Sequence, residues 1–301
     1  MRLSSRNIVS AALVLALPAT GPLAAQQVPQ IAPPRVTLDN SDPETQLLGY
    51  YAAVLSFRPA GLPDRTGKFA LGVVTTYVPN LSDEDRTVSF GGTQTVTGNI
   101  CTFSPRFSAS KAFGRIGLEA AFSPALSNCN VDASSFGGAL SYRFPLSPVW
   151  DAVVRLSGYS ASVDAAITCS ASAIADAQNK LCYGGTVSTD NISPLGFSAD
   201  FVAQHHKPGS TFEPYALAGF RYERVDKDVN YTRTTAQGAA VNLPPITMLD
   251  RYEATLARVH LGAGLAWTLG NIFRVGGEAL YAPGAVLTFS LNGTVVFGGS
   301  R

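Results

Sequence analysis

The feature that most constrains the fold is a two-residue alternation that begins near Lys68 and continues almost to the C-terminus. Between Phe69 and Tyr77 every second residue is bulky, and smaller or polar residues lie between the bulky ones. Successive side chains of a β-strand point to opposite faces, so this pattern predicts strands with one apolar and one polar face. Repeats of the pattern predict ten strands, at 69–77, 102–113, 115–122, 136–144, 150–161, 195–204, 212–224, 251–267, 273–281 and 287–297.

The predicted strands are joined alternately by short and long connections. The short ones centre on 114, 145–148, 207–210 and 269–271, the long ones cover 79–100, 123–135, 162–194 and 226–250, and the last, 282–286, is short. Most strands are close to the roughly 9–11 residues that a tilted strand needs to cross a bilayer core. We therefore predict an all-β fold, an antiparallel up-and-down transmembrane β-barrel of about ten strands, with eight or twelve as alternatives.

The positions of the charged residues indicate what surrounds this barrel. Nearly all charged residues in the middle of the predicted strands lie on the same face of their strand. Lys111 is the exception, and it lies near a strand end, where its long side chain can reach the membrane surface. An Arg or Lys that faced lipid at the midplane would cost about 2–4 kcal/mol, so the charged register is predicted to face inward. The predicted lumen charges are Arg106, Glu119, Arg143, Arg155, Asp200, Arg221, Arg258, His260, Arg274 and Glu278.

Composition distinguishes this barrel from a soluble β-sandwich, which also alternates. Charged residues make up 14% of the chain, whereas about 25% is usual for soluble domains. Aromatic residues cluster at both ends of the predicted strands, as expected for rings at the two membrane surfaces. They are Phe113, Phe144, Trp150, Trp267, Phe273 and Phe297 at one end and Tyr77, Phe103, Phe122, Phe136, Tyr222 and Tyr281 at the other. The net charge of +1 gives no reason to expect a nucleic-acid partner.

The N-terminal part of the chain lacks the alternation and divides into two predicted segments. Basic residues, an apolar run over 8–17 and the small residues at 23–25 predict a secretory signal peptide at 1–25. Residues 26–64 are predicted to be a periplasmic segment, followed by the barrel at 65–301. Apolar residues at helical spacing predict a short amphipathic helix over 44–57, with a strand as the alternative. This segment could lie under the barrel mouth, plug the lumen or add a strand.

Four cysteines in an exported chain predict two disulfides. Cys101 and Cys129 lie at neighbouring strand ends on the side of the long loops, and Cys169 and Cys182 share one long loop. This placement favours the pairs Cys101–Cys129 and Cys169–Cys182, although four cysteines allow three connectivities. No Cys or His spacing is typical of a metal site, so no metal and no cofactor is expected.

His260 is the histidine that would point into the predicted lumen. Catalysis would require a nucleophile and a carboxylate within reach, for which Ser290 and Glu278 on nearby strands are the candidates. The simpler interpretation is that His260 belongs to a ladder of charges in the lumen, in which opposite charges on neighbouring strands pair.

The final predicted strand alternates apolar residues and ends in an aromatic one, through Phe289, Leu291, Gly293, Val295 and Phe297. Together with the strand pattern from Lys68 onward, it resembles the small outer-membrane β-barrel proteins of Gram-negative bacteria, whose last strand carries an assembly signal of this kind. The sequence departs from the class in that residues 298–301 follow the Phe. The resemblance implies insertion by the barrel-assembly machinery, contact with outer-membrane lipid, long loops outside the cell and both termini in the periplasm.

Three functions fit this prediction, and the sequence identifies no substrate for any of them. The first is a non-enzymatic barrel, either structural or a narrow, weakly anion-preferring channel, because Arg outnumbers acidic residues in the predicted lumen. The second is a surface protein that binds a ligand or another cell through disulfide-braced loops. The third is a barrel lipid hydrolase or protease, although we expect no enzyme.

Overall fold

The computed structural model describes residues 33–58, 61–63, 67–79, 87–88, 94–95, 103–128, 131–179, 182–207, 209–233, 246–270, 272–283 and 287–298. The strands within these ranges are β1 (Val36–Thr37), β2 (Phe69–Tyr77), β3 (Thr87–Val88), β4 (Gln94–Thr95), β5 (Phe103–Phe113), β6 (Ile116–Asn128), β7 (Val131–Ser147), β8 (Trp150–Ala165), β9 (Thr189–His205), β10 (Phe212–Arg233), β11 (Ile246–Leu269), β12 (Phe273–Tyr281) and β13 (Thr288–Phe297). The helices are α1 (Pro43–Leu55) and α2 (Ala171–Ala175).

Ten of the described strands, β2 and β5 to β13, close into an antiparallel barrel in which each strand pairs with the next one along the chain. Closure comes from β13 and β2, where Phe289 lies opposite Tyr77 and Phe297 opposite Phe69. The predicted barrel and its ten strands are therefore confirmed. The strand ends that are joined through 114–115, 148–149, 206–211 and 270–272 define what we call the turn end. The connections at 78–102, 129–130, 166–188, 234–245 and 282–287 define the long-loop end.

The outer surface of the barrel carries a band of exposed apolar side chains, including Phe107, Leu156, Phe201 and Val259. Exposed aromatic rings border the band at the turn end, among them Trp150, Trp267 and Phe297, and at the long-loop end, among them Phe136, Tyr222 and Tyr281. Lys111 also faces outward near the turn end, and its Nζ lies 4.8 Å from the centre of the Phe113 ring. An outer surface of this kind fits a hydrocarbon slab bounded by two interfaces.

The wall of the barrel is low on one side and tall on the other. β12 has 9 residues and β13 has 10, whereas β10 has 22 and β11 has 24. Beyond Tyr222 the outward residues of β10 become polar, as at Arg224, while the inward residues Val225 and Val229 are fully buried. The predicted strand 212–224 is therefore shorter than β10, which continues to Arg233. The prediction relied on an apolar outer face, and that face ends where the strand leaves the apolar band.

Helix α1 lies inside the lumen, so the helix alternative for this segment is the observed one and the helix plugs the barrel. All of its residues except Pro43 and Gln46 are buried. On the side of the long-loop end, Leu48 and Leu55 pack in one cluster with wall residues such as Ile192 and Leu256. Of the three placements that the sequence left open for this segment, the structure shows the plug, because α1 and the residues 56–58 and 61–63 that follow it are buried in the lumen.

Among the described residues, no helix has both the length and the apolar composition that crossing a bilayer would require.

Candidate functional site in the barrel lumen

The structure places the predicted lumen charges on the inner face of the wall, where the side chains are buried or half-buried. The buried members are Arg106, Arg155, Asp200, Arg221, His260, Arg274 and Glu278, and the half-buried members are Glu119, Arg143 and Arg258. They come from eight consecutive strands, β5 to β12, so the predicted ladder becomes a network across the lumen.

Asp200 is the centre of this network on the tall side of the barrel. Its Oδ2 accepts a hydrogen bond from Arg155 Nε at 2.9 Å, from the directly opposite position of β8. Its Oδ1 lies 2.7 Å from Nε2 of His260, which is on β11, two strands away. The intervening position on β10 is Gly219, which pairs with both Asp200 and His260. A residue without a side chain at this position leaves room for the contact between Asp200 and His260.

Two buried tyrosines form hydrogen bonds with further carboxylates in the lumen. The hydroxyl of Tyr159 lies 2.7 Å from Glu223 Oε1 and 3.1 Å from the backbone oxygen of Ala52 in α1. The hydroxyl of Tyr215 donates to Glu278 Oε2 at 3.0 Å. Glu223 was absent from the predicted lumen charges, although it shares the inward register of Arg221. Its Oε1 lies 3.4 Å from Nη1 of Arg221. The inward register could therefore have predicted Glu223, which lies close to the end of the predicted strand 212–224.

Arginine side chains bind the backbone of residues 56–58 and 61–63, which follow α1 and which we call the strap. Arg106 donates to the carbonyl oxygen of Ser56, at the helix C-terminus, and to the Thr76 hydroxyl. Arg155 Nη1 donates to Gly61 O at 3.4 Å, and Arg143 Nη2 donates to Pro63 O at 3.1 Å. A cation suits the position at Ser56, because carbonyl groups at a helix C-terminus carry partial negative charge and lack partners within the helix.

Arg58 belongs to the strap itself and was not predicted. It is buried, its Nε donates to Ser56 Oγ at 2.9 Å, and its Nη1 donates to the Thr288 hydroxyl of β13. Two small cavities border Phe57 and Arg58. One, of about 40 Å³, is lined by small wall residues together with Glu119 and Arg274. The other, of about 10 Å³, borders the Asp200 network.

The residues considered for catalysis are not brought together as a nucleophile, a base and an orienting acid. His260 contacts Asp200, whereas the Ser290 hydroxyl lies 3.4 Å from that of Thr76. Within the described part of the chain, no group of three His, Cys, Asp or Glu side chains is arranged to hold a metal ion. In the lumen, ion pairs join residues of the wall to one another, and wall arginines donate hydrogen bonds to backbone carbonyl oxygens of the plug.

The long-loop end has a compact cap on the tall side of the barrel. Cys169 and Cys182 form a disulfide, and both are buried against Val229 and Tyr231 of β10. Asp190 accepts from the backbone nitrogen of Ile167 at 2.6 Å, and the buried Lys227 donates to Thr168 Oγ1 at 3.0 Å. The other predicted pair, Cys101–Cys129, lies outside the described residues.

The residues of the proposed assembly signal lie on the closing strand β13. Phe289, Leu291 and Phe297 face outward and are exposed. Gly293 and Val295 occupy the same outward register, opposite Val73 and Leu71 of β2. The signal therefore coincides with the strand that completes the barrel.

A closed antiparallel barrel with an apolar outer band, aromatic rings at both borders and a charged, inward-facing register is the architecture of a transmembrane β-barrel. No protein-family model matches the chain, and no curated protein matches it.

Solved structures similar to the chain include outer-membrane barrels. The attachment invasion locus protein Ail of Yersinia pestis has a TM-score of 0.32 and 9% identity, over 76% of this chain and 96% of that chain. The KdgM porin has a TM-score of 0.30 and 10% identity, over 76% and 99%. The β domain of the Bordetella autotransporter BrkA has a TM-score of 0.37 and 10% identity, over 77% and 100%. Similarity this weak carries no inference about function.

Proposed function

We propose that the chain is a closed outer-membrane barrel whose lumen is filled at rest and whose long-loop end is its working surface. The observation that carries this proposal is α1, which is buried inside the lumen on nearly every side. A structural or surface-binding role needs no open path, whereas a porin does. The disulfide-braced cap gives the long-loop end a fixed shape, which supports a contact surface there.

The free energy gained by burying the apolar side chains of α1 favours a permanent plug over a hinged gate. Removing α1 would expose Leu47, Leu48, Tyr50, Tyr51 and Leu55, each at most 3% exposed in the barrel. Burial of side chains of this size contributes about 1.5–3 kcal/mol each, so these five amount to on the order of 10 kcal/mol. The total stability of a typical domain is about 5–15 kcal/mol. The helix is thus part of the core of the protein.

A narrow, weakly anion-preferring channel is the second candidate, and the excess of arginine around the strap favours it. A water path beside α1 would pass Arg58, Arg106, Arg155 and Arg221, which chloride would meet more readily than potassium would. The side chains around Asp200 are paired with one another, however, and pairing reduces the field that a passing ion experiences.

Conductance separates these two candidates. Wild-type protein in a planar bilayer is expected to give no steps above the lipid background, whereas an open porin in the same bilayer provides the positive control for the recording. Both are first checked for the mobility shift on boiling that folded barrels show. Wild-type steps with chloride selectivity would replace the closed barrel by the channel.

We also propose that the barrel resides in the outer membrane, that it is inserted by the barrel-assembly machinery and that it is not an enzyme. Outer-membrane fractions are expected to contain a heat-modifiable band, and a purely soluble product would contradict the location. Lipid-hydrolysis and proteolysis screens are expected to give no activity. An activity that disappears in a His260→Ala variant would overturn the non-enzymatic assignment.

A further inference from the structure

We infer that the chain enters the barrel from the long-loop end, so that residues 35–38 lie at the cell surface and the strap leads inward to the turn end. This inference rests on the proposed orientation, in which the long loops face outward from the cell. It departs from the usual expectation for the class, in which the N-terminal segment reaches the first strand from the periplasm.

The entry point is fixed by contacts with the tall wall. Arg35 pairs with Asp226 at 2.5 Å and with Asp228 at 3.1 Å, both on β10 beyond the aromatic border at Tyr222. Burial disfavours the charge on Arg35, but the hydrogen bond and the charge of Asp226 outweigh it, so the pKa of Arg35 is raised. The exposed Val36 pairs with Tyr252 of β11 in a parallel ladder.

The unequal wall heights create the site that β1 occupies. β12 pairs with β11 only from Leu269 to Leu261, because β12 ends at Tyr281. In the described part of the chain, the edge of β11 on the long-loop side of Leu261 therefore has no β12 partner. β1 occupies part of this edge at Tyr252 and Glu253, and the Leu38 nitrogen continues the contact by donating to Glu253 O at 2.8 Å. An exposed sheet edge is thereby covered by the entering chain.

From this edge the chain descends through the lumen. Tyr51 and Leu55 of α1 pack among inward residues of the long-loop half, and the strap then meets Arg155 at Gly61 and Arg143 at Pro63. A helix of 13 residues rises about 20 Å, and the chain from position 56 to position 63 can reach up to about 26 Å when extended. The sum exceeds the roughly 25 Å height of the apolar band of such barrels. The segment is therefore long enough to cross the membrane inside the barrel.

Cysteine labelling tests this path, with Val36→Cys compared against one marker at each end. Asn230→Cys marks the long-loop end of β10, and Ser147→Cys, at the last residue of β7, marks the tight turn that leads to β8; both positions are exposed. The variants are made in a background with Cys101→Ser and Cys129→Ser. Intact cells are treated with a maleimide-linked polyethylene glycol that is too large for porins, and only the heat-modifiable band is scored.

The expected result is that Val36→Cys and Asn230→Cys are labelled in intact cells, and that Ser147→Cys is labelled only after the outer membrane is opened. Labelling of Asn230→Cys without Val36→Cys in intact cells, with Val36→Cys labelled together with Ser147→Cys only after the outer membrane is opened, would overturn the inference. Labelling of Ser147→Cys alone in intact cells would instead overturn the proposed orientation. In that case the entry path would stand, because Val36 and Asn230 would still share one side.

A cross-link provides an independent test of the β1 contact. Oxidation of a Val36→Cys/Tyr252→Cys double variant in membranes is expected to join the two residues, which are register partners in the structure. The Val36→Cys/Ser147→Cys pair is the matched control, with the two sites at opposite ends of the barrel. Cross-linking of the control alone would contradict the path through the lumen.

Discussion

At the residue scale, the lumen is built from contacts that a strand pattern cannot assign. The inward register of Asp200 and His260 follows from alternation alone. Their contact across the intervening strand depends on the stagger of the sheet and on the absence of a side chain at Gly219, which also lies in this register. Sequence reasoning therefore assigned these two charges to one face, but it missed Glu223 and Arg58 and did not predict which charges pair, because pairing is decided by register between strands that are distant in sequence.

We expect Gly219→Ala to destabilise the barrel. A Cβ at this position would lie 2.5 Å from Asp200 Oδ1, 2.7 Å from the Ala199 backbone oxygen and 2.7 Å from His260 Nε2. Overpacking of this kind typically costs about 1–3 kcal/mol. The shift is measured from the urea midpoint for unfolding in detergent micelles. Gly293→Ala is the control, since a Cβ there meets no atom within 4 Å, and equal midpoints for the two variants would contradict the crowding.

Asp200→Asn tests the ion-pair network itself. The change would leave Arg155 and His260 buried without their shared carboxylate, and breaking a buried pair from one side costs about 3–5 kcal/mol. Asp228→Asn, at the partly exposed clasp with Arg35 and Arg251, is expected to cost about 1 kcal/mol or less. Unfolding midpoints compare the two variants, and a loss at Asp200 no larger than that at Asp228 would show that the network adds little stability.

At the element scale, the surroundings of α1 explain why the sequence could not decide between a helix and a strand for this segment. An amphipathic helix reveals itself by an apolar stripe on one face. The segment Pro43–Leu55 is surrounded by barrel wall, so its apolar residues occur around the helix and the stripe is lost. The same reasoning accounts for the underestimated lengths of β10 and β11, whose outer faces change from lipid to water along one continuous strand.

The contribution of α1 is tested with Leu48→Ala. Leu48 is fully buried, at 0% exposure, and Leu→Ala substitutions at buried positions cost about 2–5 kcal/mol because a cavity remains. Leu291→Ala provides the comparison, since Leu291 is 66% exposed on the outer face of β13. Urea unfolding of both variants in the same lipid gives the difference. A larger loss for Leu291 than for Leu48 would mean that the helix is not part of the core.

At the scale of the whole molecule, the barrel reverses its polarity along its length. Within the band, apolar residues face outward and charges face inward, as Ala218 and Arg221 show on β10. Beyond Tyr222 the same strand turns Asp226 and Asn230 outward and buries Val225 inward. The lower part is therefore built for lipid outside, and the upper part is built like a water-soluble sheet, with a core in which Val225 and Val229 lie beside the buried Lys227. α1 joins the two parts, because it supplies that core and its strap reaches the ion pairs below.

This reversal predicts opposite tolerance to charge on one face of one strand. Ala218→Arg, outward in the middle of the band, is expected to cost about 2–4 kcal/mol, because the guanidinium would face hydrocarbon. Asn230→Arg, further along the same face of β10, places the same group in water and is expected to cost less than about 0.5 kcal/mol, as surface changes usually do. Reversible urea unfolding in lipid vesicles measures both variants. If the two variants were equally stable, the band would not face lipid; if only Ala218→Arg unfolds early, the membrane border lies between the two positions.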